Sequence, residues 1–213
     1  MFSNYDEKSL YERFPSLTSC KDEIEKVLQM MLDTYNAGGK ILLCGNGGSC
    51  ADCDHIVGEL MKSFMIERKP KEEFCHKLRE QFGDNTDEVI SSLQTGIPSI
   101  SLPAHAAVLT AYLNDVKPEY VYAQLTFGYG KKEDLLIGLS TSGNSGNVVN
   151  AVKVAKAMGL KTASITGEKD SKLSALCDSC IKVPETETYK VQELTLPVYH
   201  HLCAMIEKIL FGE

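Results

Sequence analysis

The sequence predicts an α/β fold, a parallel sheet layered between helices as a three-layer α/β/α sandwich of the flavodoxin or Rossmann kind. Three observations predict it. Short apolar runs alternate with helical patterns along the chain, the order that builds a parallel sheet with helices on both faces. Two of those runs, Ile41–Cys44 and Leu135–Leu139, lead straight into loops rich in glycine and serine, Gly45–Ser49 and Ser140–Ser145. Each loop is followed by a helical pattern, so both sit where a strand ends and a helix begins.

In chain order, residues 6–37 read as helix, interrupted near Pro15. Ile24, Val27, Leu28, Met31, Leu32 and Tyr35 follow the i, i+3, i+4, i+7 spacing of an apolar helical face. A long N-terminal helix of this kind can pack on its own sheet or on another subunit. Gly38 and Gly39 end it. The strand Ile41–Cys44 follows, continuously apolar as a buried parallel strand should be. Gly45, Gly47 and Gly48 then make a sharp turn, Ser49 suits a helix N-cap, and helix is expected to about Arg68.

Residues 69–97 read as a helical insertion: a charged helix near 69–82 and another over 84–93, capped by Asn85 or Thr86. A second strand is expected over 97–102, with helices over 104–114 and 119–127. The third strand covers 135–139 and its helix runs from about Gly146 to Met158. A fourth strand over 161–166, a short helix near 171–177 and a strand over 180–183 follow. Helix from Glu187 to Phe211, bent at Pro197, closes the chain.

The chain has 213 residues and is 43% hydrophobic, enough for one good core, so a single domain over 1–213 is expected. Its net charge is −7 with no basic run, which argues against nucleic-acid and membrane partners. No apolar run approaches a membrane span and the polar N-terminus is no signal peptide, so the cytoplasm is the expected compartment. Eight cysteines include Cys50/Cys53 and Cys177/Cys180 as C-x-x-C pairs. The pairs lie too far apart for a ribbon-type zinc site, and the thiols are expected to be reduced and to pack as small apolar side chains.

The first loop lacks the lysine of a P-loop, and Cys50 stands where a dinucleotide fingerprint needs its third glycine. No nucleotide cofactor is therefore expected. Unpaired N–H groups at a helix N-terminus bind anions, although an ordinary strand-to-helix turn has the same look. Four residues apart on the next helix, His55 and Glu59 share a face. The second loop, Ser140-Thr141-Ser142-Gly143-Asn144-Ser145, offers four hydroxyls and another helix N-terminus, which can hold a phosphate without lysine or arginine. Ligands in open α/β sheets bind beyond the strands' carboxyl ends, where both loops lie.

Gly45–Ser49, His55 and Glu59, Asn114-Asp115, Ser140–Ser145, then Gln192-Glu193 and His200 occur in the order and spacing of the sugar isomerase (SIS) domain family. The chain resembles most closely the phosphoheptose isomerases within it, over nearly its whole length except about 69–97. The resemblance implies aldose–ketose interconversion of sedoheptulose 7-phosphate and D-glycero-D-manno-heptose 7-phosphate through an enediol. It implies a sugar-phosphate substrate held at its phosphate by Ser140, Thr141, Ser142 and Ser145. Asn46, Gly47, Gly48, Ser49, Asn114, Asp115 and Gln192 are the further implied substrate contacts. Glu59 is the implied general base and His200 the general acid. A carboxylate near one carbon and a histidine at the oxygens suit that proton transfer.

Some members of the family bind zinc through residues matching His55, Glu59, Gln192 and His200, which makes zinc the candidate cofactor. The resemblance also implies a homotetramer with shared sites. Gln192 and His200 are about 12 Å apart along a straight helix, too far to meet at one metal or carbon. A bend at Pro197 or a residue donated by a neighbouring subunit are the two solutions. The competing class is a non-catalytic relative, a sugar-phosphate-sensing regulator or a replication-initiator-associated tetramer. Such relatives commonly lack the residues matching Glu59 and His200, and this chain has both.

Overall fold

The computed structural model describes residues 5–83 and 86–212. Five parallel strands form one sheet: β1 (Ile41–Cys44), β2 (Ser99–Ser101), β3 (Leu135–Leu139), β4 (Lys161–Gly167) and β5 (Ser179–Val183), in the order β2-β1-β3-β4-β5. Leu42 is level with Ile100 on one side and Leu136 on the other, and Cys44 with Gly138. The chain leaves β1 toward β2 and returns on its other flank as β3. That reversal opens a crevice beyond the carboxyl ends of β1 and β3, the place where open α/β sheets bind ligands.

Alternation along the strands sorts the core into two layers. Ile41, Leu43, Ile137 and Leu139 face one side with α2 (Lys21–Asn36), α3 (Gly48–Met61) and α10 (Thr188–Phe211). Leu42, Cys44 and Leu136 face the other, under α7 (Val121–Tyr129) and α8 (Gly146–Ala157). The remaining helices are α1 (Ser9–Arg13), α4 (Glu72–Phe82), α5 (Asp87–Ser92), α6 (Ala106–Asp115) and α9 (Lys172–Leu176). Ile24, Val27, Leu28, Met31 and Leu32 of α2 are buried against this chain's own sheet and α10, so the apolar stripe is not available to a neighbouring subunit.

Several boundaries differ from the sequence reading. The N-terminal helix breaks at Pro15 into α1, a 3-10 stretch over Pro15–Cys20, and α2. Helix α3 stops at Met61 rather than Arg68 because tertiary partners take over the backbone of the next residues. The Glu207 carboxylate accepts the Phe64, Met65 and Ile66 N–H groups, and Arg68 caps the Glu59 and Leu60 carbonyls. Strand β2 is only three residues long, bounded by Pro98 and by a 3-10 turn holding Pro103.

Pro197 sits inside α10 without ending it. Thr86 precedes α5, its hydroxyl donating to the Gly83 carbonyl rather than capping the helix; Asn85, the alternative cap, lies outside the described residues. Five cysteines, Cys20, Cys44, Cys53, Cys75 and Cys203, are buried as core side chains; Cys50, Cys177 and Cys180 are half-buried.

Candidate active site

The first loop is a tight turn tied from several sides. Gly47 rather than Ser49 occupies the N-cap of α3, and Ser49 is buried in the first helical turn. Its N–H donates to the Asn46 carbonyl at 3.0 Å. Tyr122 of α7 donates its hydroxyl to the Gly45 carbonyl at 2.6 Å, which anchors the turn from the opposite layer. A β-carbon on Gly48 would collide with the Gln192 amide. The lack of a side chain at Gly48 leaves room for α10 to lay the Gln192 amide against the N-terminus of α3.

The second loop folds on itself at the carboxyl end of β3. Ser140 and Ser145 share a hydroxyl–hydroxyl hydrogen bond of 2.9 Å, and the Gly143 N–H donates to the Ser140 carbonyl. Ser142 is exposed and its hydroxyl accepts the Asn144 N–H. Thr141 is half-buried, its carbonyl accepting the Gly167 N–H. The two loops are joined: the Asn46 and Asn147 side-chain amides exchange a pair of hydrogen bonds, 2.9 and 2.8 Å. Two helix N-termini, α3 and α8, thus open on one crevice, with serine hydroxyls at one of them, a setting for an anion.

The titratable cluster lies where α3 and α10 pack side by side. His55 Nε2 is 3.2 Å from Glu59 Oε1. On its other nitrogen, His55 Nδ1 shares a 2.9 Å hydrogen bond with the Tyr199 hydroxyl, which also donates to Asp52 Oδ1 at 3.3 Å. The His200 ring stands edge-on to His55, with centroids 5.0 Å apart, and the Phe64 ring packs against it at 5.7 Å. Glu59 is 14% exposed; its Oε2 is buried and accepts no hydrogen bond, with Lys62 Nζ 3.7 Å away. Burial, and next the neighbouring His55, hold the His200 imidazole below its usual pKa. Burial raises the Asp52 carboxyl above the usual range.

One chain therefore brings together Asn46, Gly47, Gly48, Ser49 and Gln192 at the first loop, and His55, Glu59 and His200 beside it. Gln192 and His200 do not meet: Gln192 touches Gly48, and His200 touches His55 about two turns further along both helices. Glu59 and His200 flank the same His55 within one chain. Asn114 and Asp115 stand apart. They bond each other at 2.8 Å at the end of α6, a helix with no buried residue. Among the described residues no hydrogen bond ties them to either loop.

As a metal centre the cluster does not fit as it stands. The donor types of His55, Glu59, Gln192 and His200 suit zinc. Both His55 nitrogens, however, already have protein partners, and among the described residues no three His, Cys, Asp or Glu side chains converge on a point. Sequence reasoning missed Asp52, Tyr199, Phe64 and Asn147. Asp52 had a signal, since it lies three residues before His55 on the same helical face. Phe64 had none.

The chain is similar to proteins of known family over most of its length. Two SIS domain family models match, over residues 10–86 and 105–205. The phosphoheptose isomerase of Aneurinibacillus thermoaerophilus is 35% identical over 188 residues, 88% of this chain and 82% of the relative. That of Helicobacter pylori (strain P12) is 36% identical over 193 residues, 91% of this chain and 87% of the relative. The solved structure of the Neisseria gonorrhoeae phosphoheptose isomerase superposes with a TM-score of 0.66 at 27% identity, covering 93% of this chain and 98% of that one.

Proposed function

The chain belongs to the phosphoheptose isomerases of the SIS-domain family, and from that premise we propose that it interconverts sedoheptulose 7-phosphate and D-glycero-D-manno-heptose 7-phosphate. It is an aldose–ketose isomerase. The observation that carries the residue assignment is the juxtaposition of Glu59 and His200 around His55, beside a crevice that two helix N-termini face.

In this reading the phosphate lies on the Ser140–Ser145 loop. Ser140, Thr141, Ser142 and Ser145 supply hydroxyls, and the N-terminus of α8 supplies dipole and N–H groups. The first loop, Asn46 to Ser49 with Gln192, orients the other end of the sugar. Glu59 removes a proton from C1 of the ketose while O2 gains one, which gives the 1,2-enediol. Returning the carbon proton to C2 while O1 loses its own gives the aldose. His200 moves the proton between the two oxygens. A neutral imidazole both donates and accepts, and a pKa held below the ordinary value keeps it neutral at pH 7. Oε2 of Glu59, which accepts no hydrogen bond and has the Lys62 ammonium 3.7 Å away, is the oxygen assigned to take the carbon proton. No step is routed through a metal.

The same reading places 69–97 as an insertion within one domain and assembles the chain as a tetramer in the cytoplasm. No helix among the described residues is long and apolar enough to cross a membrane. Light scattering tests the tetramer. The test of the chemistry is Glu59→Gln, which keeps the shape and removes the base. Turnover should fall at least about 100-fold with the fold intact. Near-wild-type turnover would remove Glu59 from the mechanism.

A further inference from the structure

A second charged pair lies beneath the catalytic cluster, and it is wholly buried. The Arg68 and Glu207 side chains are each 0% exposed, with Arg68 Nε donating to Glu207 Oε1 at 2.6 Å. Buried ion pairs are poor sources of net stability, because desolvating both charges cancels most of their attraction. What this pair provides is geometry. Arg68 Nη2 donates to the carbonyl of Glu59 and Nη1 to that of Leu60, both at 2.7 Å. Both lie at the end of α3, where carbonyls need donors once the helix stops; that of Leu60 also accepts the Ile97 N–H at 2.8 Å. The Glu207 carboxylate accepts three successive backbone N–H groups, from Phe64, Met65 and Ile66, at 2.8, 2.6 and 3.0 Å.

Both ends of this network reach the catalytic groups. Arg68 holds the backbone of Glu59 itself. Glu207 lies seven residues after His200, two turns along the same face of α10. Through the Phe64 N–H it also sets the ring that packs against His200. We infer that Arg68 and Glu207 are positioning residues, which lock the end of α3 to α10 so that Glu59 and His200 keep one mutual placement. The inference rests on Glu59 and His200 doing the chemistry.

The test is Glu207→Gln, which keeps an acceptor oxygen and the shape but loses the charge that gathers four donors. A misplaced base loses turnover, not substrate affinity. The kcat should fall about ten-fold or more, with KM within about two-fold of wild type and the oligomeric state unchanged. A control, Leu160→Ala in the opposite core layer, lowers stability and should leave kcat alone, which separates positioning from general loosening. Should Glu207→Gln not fold, Phe64→Leu and Arg68→Lys carry the test. Phe64→Leu removes the ring beside His200 and keeps its backbone N–H, and Arg68→Lys keeps the charge and loses the fork. Wild-type kcat in the folded variants, alongside an inactive Glu59→Gln, overturns the inference. An active Glu59→Gln instead overturns the mechanism it rests on.

Discussion

Gly143→Ala should cost both stability and phosphate binding, and the structure gives the size of the effect. Gly143 has φ +65°, in the left-handed region, where a β-carbon costs about 1–2 kcal/mol. That carbon would also collide with the hydroxyl of Ser171. Ser171 is the N-cap of α9: its hydroxyl accepts the Ser174 N–H at 3.2 Å, and its own N–H donates to the Ser174 hydroxyl at 2.8 Å. Pushing Ser171 aside forfeits a cap worth about 1 kcal/mol. The two costs come to about 2–3 kcal/mol, read by chemical denaturation at fixed protein concentration. Ser171→Ala alone should cost about 1 kcal/mol. Added to Gly143→Ala it should cost almost nothing, since the cap is already lost there and the two sites share one contact. A Gly143→Ala variant within about 0.5 kcal/mol of wild type, or strict additivity with Ser171→Ala, would refute the argument.

Other predictions probe the site and its surroundings. Ser142→Ala and Ser145→Ala should each weaken sugar-phosphate binding by about 1.5–3 kcal/mol, the worth of a hydrogen bond to a charged group; calorimetry showing unchanged affinity in both would sink the phosphate assignment. Mixing Glu59→Gln with His200→Ala subunits should restore no activity after proven exchange, because both groups flank His55 within one chain; recovery would show that the working site is shared between subunits. Replacing residues 70–93 by a short glycine linker should leave the fold intact. Helix α4 buries only Cys75, α5 buries nothing, and Thr95 bonds Arg68 and Lys69 across the base of the excursion. Loss of the cooperative unfolding transition in that variant would show that the excursion belongs to the core.

The sheet and its two loops were legible because they follow from local rules. Four apolar residues in β1, and four with Gly138 in β3, read as buried strands, and the glycines and serines behind them suit turns at helix starts. His55 and Glu59 were legible for the same reason, since helical spacing alone puts them on one face. What the sequence hid is what depends on distant partners. Nothing near Met61 stops a helix; α3 ends there because a carboxylate 143 residues after Phe64 takes the next N–H groups. The apolar stripe of α2 has the same pattern whether it faces this chain's sheet or another subunit, and only the fold decides.

Spacing along α10 raised a different question. It treated Gln192 and His200 as ligands of one point, and so required a bend or a neighbour. Helices α3 and α10 run side by side in the same direction, Gln192 against Gly48 and His200 against His55. The two residues meet α3 at successive turns. In the proposed reading a sugar phosphate spans both, its chain oriented by Gln192 and its proton moved at His200, so the eight-residue step from one to the other is not a gap to be closed.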